Sequence, residues 1–384
     1  MRAYGDTTLP GGIRSRFVAN VNGLRMHVLE AGFESEDRPV VLLLHGFPEL
    51  AYSWRKVMPA LAAAGYRVLA PDQRGYGHTT GSDDSYGGDL AQFRMLNLAR
   101  DTIGLLAALG IPHVQAVVGH DFGASVAGWC AMLRPDVFRS LVLMSAPFTG
   151  APPLPFGTDG RALTDAERLP PVTRISAALA ALSPSRKHYH AYYATPEANP
   201  NMQGARQGVH AFLRAYYHQK SADWPGNAIH PLSSWTAETL AKLPRYYVMD
   251  LGKGMAEQVA ETMPTEAEIA ACHWLPEAEL AVYATEFERR GFQGGLNWYR
   301  CRLVPRYVAE HELFSGATVS VPATFIAGAQ DWGVYQTPGA IERLEGLLCT
   351  AYRGRHLVPG AGHWVQQEQP EPVNRLLLEF LARP

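Results

Sequence analysis

One aspartate sits in a setting suited to chemistry: Val118-Gly119-His120-Asp121-Phe122-Gly123-Ala124, after an apolar run and before a helical pattern from Ser125 to Leu133. Small residues two positions either side of Asp121 permit a very tight strand-to-helix turn, which thrusts the central side chain above the sheet edge, its backbone near the positive end of a helix. In the better-known version of this elbow the central residue is serine. An ordinary Asp helix cap is the competing reading. A carboxylate with a reference pKa near 3.9 is already ionised at neutral pH and attacks without a base. On an acyl carbon it would form a high-energy anhydride, whereas on a saturated carbon it forms an ordinary ester. Asp121 therefore favours electrophiles such as epoxides or alkyl halides.

Such an ester needs a second half-reaction, and the chain holds residues for it. Gly328-Ala329-Gln330-Asp331 and Gly360-Ala361-Gly362-His363-Trp364 each follow a predicted strand. The order Asp121, Asp331, His363 is nucleophile, acid, histidine, as in hydrolases with this elbow. His363 would activate water against the ester carbonyl, with Asp331 orienting and charge-stabilising the imidazolium. His45-Gly46-Phe47-Pro48 follows another buried-strand run, Val40 to Leu44. Its loop can present the Phe47 N–H, and Phe122 the second N–H, of an oxyanion hole.

These residues must be held by a sheet. Val40 to Leu44, Val68 to Ala70, Val114 to Val118, Leu141 to Met144 and Ala323 to Ala327 are short apolar runs, as expected of strands covered on both faces. Helical patterns such as Leu90 to Leu109 alternate with them, and Arg16–Ala19 with Leu24–Leu29 reads as an antiparallel pair around Asn22-Gly23. Arg355 to Val358 reads as a last strand and Glu371 to Ala382 as a closing helix. The fold class is α/β, a mainly parallel sheet flanked by helices. Residues 148–313 are rich in Pro, Ala, Tyr and Trp without a buried-strand run. They read as a helical cap inserted into a core of 1–147 and 314–384.

Composition removes other classes. The formal net charge of −2 gives no electrostatic reason to expect nucleic acid or an anionic membrane as partner. With 47% apolar and 18% charged residues, a sizeable core is expected and disorder is not. The four cysteines show no C-x-x-C spacing, arguing against a zinc cage or disulfide framework. The opening stretch lacks an apolar leader region and no run is long enough to span a membrane, so a soluble, cytoplasmic protein is expected. His188 and His190 have no third ligand at useful spacing, and no phosphate or dinucleotide loop is present. No metal and no cofactor is expected. Oligomeric state is not readable from the sequence.

Taken together, His45-Gly46-Phe47-Pro48-Glu49, Gly119-His120-Asp121-Phe122-Gly123 and Gly294-Gly295-Leu296-Asn297-Trp298-Tyr299-Arg300 resemble the α/β-hydrolase-fold epoxide hydrolases. The elbow with Asp is shared with dehalogenases; the Asn-Trp-Tyr-Arg stretch is the more discriminating. The resemblance implies that Tyr299 is one of two cap tyrosines binding the epoxide oxygen. The other matches best at Tyr189, with Tyr192, Tyr193, Tyr216 and Tyr217 nearby. It also implies a substrate pocket lined by His45, Pro48, Tyr193, Trp298 and Trp364, His45 in a structural rather than catalytic capacity. Two departures stand out. Phe122 replaces the family's usual Trp, and the two tyrosines are widely separated, which implies an extra cap segment around Tyr246 to Ala281. The implied partners are a small hydrophobic epoxide and water. A haloalkane or haloacid dehalogenase and a non-catalytic ligand-binding protein on the same fold are the alternatives. Phenols can protonate an alkoxide, which a halide does not require, and this favours the epoxide.

Overall fold

The computed structural model describes residues 8–152 and 169–383. Residues 1–7, within the stretch read for a leader, and 153–168, within the expected insertion, lie outside the described residues. An eight-stranded sheet runs in the order β1-β2-β4-β3-β5-β6-β9-β10. Strands β1 (Ile13–Val21) and β2 (Leu24–Ala31) form the expected antiparallel pair, and β2 joins β4 (Arg67–Pro71) antiparallel. From β4 onward, β3 (Val40–Leu44), β5 (Ala116–His120), β6 (Leu141–Met144), β9 (Ala323–Gly328) and β10 (Tyr352–Val358) are parallel. Every residue of β3, β4, β5, β6 and β9 is buried, which is why their sequences read as apolar runs without alternation.

The register aligns the carboxyl ends of the strands that matter. Leu44 pairs with Gly119, His120 with Met144, Met144 with Ile326 and Val358 with Gly328. The loops leaving β3, β5, β9 and β10 thus emerge side by side, where open α/β sheets place their ligand crevices. Phe47, Asp121, Asp331 and His363 all lie on these loops.

Between β6 and β9 the described chain is mainly helical. The helix Gly208–Lys220 packs against Glu277–Arg290, and Gln293–Arg302 lies against the short helix Tyr189–Tyr193. The apolar pattern missed a two-stranded ribbon, β7 (Arg186–His188) with β8 (Val248–Asp250), because three residues are too few to show a period. The single helix expected over Leu90 to Leu109 is two: a 3-10 turn Leu90–Phe93 capped by Asp89, then Met95–Ala108. Arg94 between them is extended (φ −65°, ψ 148°), which breaks the ladder.

Candidate active site

Asp121 adopts a backbone conformation that L residues rarely enter, φ 52° and ψ −119°. Such a residue costs about 1–3 kcal/mol and persists only where its surroundings over-determine it. Here they do. Its N–H donates to the Met144 carbonyl at 3.1 Å, and its own carbonyl accepts from Ala124 N at 3.1 Å. The flanking glycines leave no room for a side chain: a Cβ at Gly119 would lie 2.2 Å from the Gly123 carbonyl oxygen, and one at Gly123 2.3 Å from that of Leu44. The helix begins at Phe122, not Ser125, so the Phe122 amide is at a first-turn position with no intrahelical acceptor.

The loop after β3 runs directly against this elbow. A Cβ at Gly46 would stand 2.4 Å from the Asp121 Cβ, so only glycine lets Phe47 approach. The Phe47 N–H donates to Asp121 Oδ1 at 3.0 Å. On the other side, His363 Nε2 lies 3.3 Å from Asp121 Oδ2 and its Nδ1 3.1 Å from Asp331 Oδ1. Gly333 N donates to that same Asp331 oxygen at 2.7 Å. His363 Nε2 is buried and not aligned for a hydrogen bond with any described residue. Burial would raise the Asp121 pKa, but the approach and charge of His363, with the charges of Lys220 and His120, hold it well below the ordinary carboxylate value.

The main chain of His363 is held at both ends. Its carbonyl accepts from His120 Nε2 at 2.7 Å and Ser145 Oγ at 2.9 Å, and its N–H donates to Lys220 O at 2.8 Å. Glu368 accepts from the flanking amides of Gly362 and Trp364 at 2.9 Å each. Next to Asp121, His120 Nδ1 meets Glu49 Oε2 at 2.6 Å, and Glu49 also accepts from Gly46 N and Gln366 Nε2. Both His120 ring nitrogens face acceptors, which only the imidazolium can satisfy. Burial opposes that charge, but Glu49 outweighs it and raises the His120 pKa; burial likewise opposes the Glu49 charge and His120 lowers the Glu49 pKa. The sequence reading quoted both residues and gave neither a role. The signal available was a carboxylate two positions past Phe47 and a histidine beside the nucleophile.

Two phenols share a chamber with Asp121. Asp121, Phe122, Tyr189, His190, Tyr299 and Arg302 are among the residues lining a chamber of about 50 Å³. Tyr189 donates to Gln336 Oε1 at 3.0 Å, while the Tyr299 hydroxyl has no partner among the described residues. Burial, reinforced by the Asp121 charge, raises both phenols well above their ordinary value, so both remain donors at neutral pH. Two glycines let the Tyr299 helix sit this close. A Cβ at Gly294 would lie 2.1 Å from the Gly75 carbonyl oxygen, and one at Gly295 2.7 Å from the Phe47 ring. The loop Gly75-Tyr76-Gly77 is this docking point. Arg289 and Arg290 donate to the Gly77 carbonyl at 2.8 Å each.

Phe122, Ser125, Thr149, His190, Arg302 and Thr337 also line a wider cavity of about 530 Å³, walled by Trp129, Phe148, Trp235, Trp298 and other apolar side chains. Of the five residues expected to line the substrate pocket, Trp298 does so here, its Nε1 donating to Arg74 O at 3.0 Å. The other four line neither cavity, because hydrogen bonds and packing turn them inward. His45 Nδ1 lies 2.9 Å from Gly46 O and its Nε2 accepts from Gln73 N. The Pro48 carbonyl accepts from Tyr217, Tyr193 donates to Tyr216, and Trp364 Nε1 donates to Tyr217 O.

Comparison with known proteins bears on this arrangement. Residues 39–370 match the family model described as the alpha/beta hydrolase fold. The chain is 35% identical over 383 residues to epoxide hydrolase B of Mycobacterium tuberculosis, covering 95% of this chain and 97% of that protein. The chain belongs to the α/β-hydrolase-fold epoxide hydrolases. Among solved structures of this family, an epoxide hydrolase from an endophytic Streptomyces superposes with a TM-score of 0.76 at 32% identity, covering 97% of this chain and 96% of that one. Potato (Solanum tuberosum) epoxide hydrolase I superposes at 0.72 with 31% identity, covering 97% and 100%. No helix among the described residues is long and apolar enough to cross a membrane.

Proposed function

We propose that this epoxide hydrolase family member opens epoxides to vicinal diols through a covalent ester on Asp121. The Asp121 carboxylate attacks a ring carbon, the C–O bond breaks, and the departing oxygen takes a proton from Tyr299 or Tyr189. His363 Nε2 then removes a proton from water as its oxygen adds to the Asp121 carbonyl carbon. The oxyanion forms on Asp121 facing the amides of Phe47 and Phe122; its collapse expels the diol oxygen, which takes the remaining proton of the added hydroxyl and so restores the carboxylate, and the imidazolium returns its proton to the phenolate. Asp331 holds the imidazolium.

The observation carrying this reading is the shared chamber, lined by Asp121 and by two protonated phenols, Tyr189 and Tyr299. A dehalogenase would need weak N–H donors for halide. The indoles of Trp298 and Trp364 are instead spent on backbone carbonyls. The 530 Å³ cavity suits a hydrophobic epoxide, with the segment 148–313 serving as the cap over a core of 1–147 and 314–384. A cytoplasmic setting fits four cysteines that are all free thiols. The decisive experiment is His363→Gln with an aryl epoxide. Asp121 should still be alkylated, giving a burst then arrest, and a protein heavier by one substrate in mass spectrometry. Steady turnover at the parental rate would remove His363 from this role.

A further inference from the structure

Lys220 ends the helix Gly208–Lys220 and is 3% exposed. A buried ammonium ordinarily needs a partner of opposite charge. Among the described residues no carboxylate lies within ion-pairing distance of this one. Its Nζ instead stands over ring faces: 5.0 Å from the centre of Tyr247, 5.2 Å from Tyr216, 5.5 Å from Trp364 and 5.8 Å from Tyr246. Ring quadrupoles hold a cation without cancelling its charge, as a carboxylate would. Tyr246 and Tyr247 belong to the segment the sequence reading set apart as an addition to the cap. Both are buried, and they complete the cage.

The cage is attached to the catalytic loop. The Lys220 carbonyl accepts from His363 N at 2.8 Å, and a Cβ at Gly362 would lie 2.5 Å from that carbonyl oxygen. The Trp364 ring touches both groups, its centre 5.5 Å from Nζ and 4.7 Å from the centre of the His363 ring. Nζ is thus no more than about 10 Å from the imidazole, and both residues are buried. Asp121 and His190 both sense the Lys220 charge. The other ionisable groups bearing on this spot are Asp331, which acts on Tyr246 and Tyr247, the His120–Glu49 pair beside His363, and Glu368 on the Trp364 amide.

We propose that Lys220 is a positioning residue for ester hydrolysis: a cation, caged by aromatic faces, that favours the proton-free His363 needed to activate water. A nearby like charge disfavours the protonated form of any base, and the ring cage is what preserves that field. The inference rests on the hydrolytic role assigned above to His363.

Single-turnover hydrolysis of styrene oxide across a pH series tests it. At about 10 Å and an effective dielectric near 20, removing one charge moves the acid limb of the hydrolysis rate up by about one pH unit. Lys220→Met should show that shift, and Lys220→Arg, which restores the charge, should leave the limb in place. Lys220→Gln, uncharged but still a donor, should move it as Lys220→Met does and serves if the methionine variant fails to fold. An acid limb that coincides with the parent's in an uncharged variant overturns the proposal, whether or not the plateau rate falls. Failure of the parent to form diol would instead overturn the reaction assigned above, so the two failures are distinguishable.

Discussion

Glu49→Gln is the most informative change next to the nucleophile. The Glu49 carboxylate accepts from Gly46 N at 2.9 Å, from His120 Nδ1 at 2.6 Å and from Gln366 Nε2 at 3.0 Å, and both Glu49 and His120 are completely buried. An amide has one acceptor oxygen. If that oxygen serves Gly46 and His120, the amide nitrogen faces Gln366, whose Oε1 has no partner among the described residues and can turn to accept it. The hydrogen bonds then survive but the imidazolium has lost its counter-charge, which costs about 3–5 kcal/mol. The alternative is a neutral His120 with one N–H for two acceptors, which orphans a buried group at about 1–3 kcal/mol. The variant takes the cheaper route, so urea unfolding should show a loss of about 1–3 kcal/mol near neutral pH.

The pH dependence follows from the two shifts. His120 is raised in the fold, so its contribution is complete below its unfolded value of about 6.5 and is lost as pH rises through the folded value. Glu49 is lowered, so its contribution is complete above its unfolded value of about 4.3 and is lost as pH falls through the folded value. The gap between parent and variant should be widest at about pH 5–6 and narrow on both sides. A gap under about 0.5 kcal/mol, or one that stays flat from acid to alkaline pH, would refute a buried charge pair at this position.

Three further outcomes are expected. Tyr299→Phe should slow alkylation about 10- to 150-fold with little change in folding, because its hydroxyl has no other partner to lose; Tyr189→Phe should cost less, its hydroxyl already being engaged with Gln336. Equal losses in stopped-flow alkylation would show that the two phenols are interchangeable. Gly46→Ala should abolish activity, since its Cβ would fall 2.4 Å from that of Asp121, and a crystal structure should show the Phe47 amide drawn away; a fully active variant would contradict the packing. Asp331→Asn should leave the alkylation burst intact and slow ester hydrolysis by about 10²- to 10⁴-fold in single turnover, and a loss confined to the burst would argue against its placement behind His363.

What could be read in advance follows from which features leave a local trace. Strands β3, β5, β6 and β9 are covered on both faces, and their apolar runs are visible without any partner. Asp121 was visible because the tight turn demands glycines at fixed offsets, and the positions of Gly119 and Gly123 are set by contacts within a few residues and with the neighbouring strand. Lining a cavity leaves no such trace. Tyr193 and Tyr189 lie on one short helix, yet one faces the chamber and the other turns to Tyr216. Pro48 and Trp364 flank active loops but point into packing. The His120–Glu49 pair and the caged Lys220 are likewise tertiary facts, since each joins residues with no mutual spacing in sequence.

The place of β9 beside β6 also governs when the protein becomes capable of reacting. Leu141 pairs with Ala323, so neighbouring strands are separated by the whole stretch that carries the two tyrosines. In a chain growing from its N-terminus, the residues of the Asp121 elbow emerge before Asp331 and His363. Contacts this distant in sequence also form slowly. An unfinished or incompletely docked chain thus holds a carboxylate without the base that would regenerate it. On the proposed mechanism any electrophile it captured would stay attached, so the docking of β9 and β10 decides whether Asp121 is a catalyst or a trap.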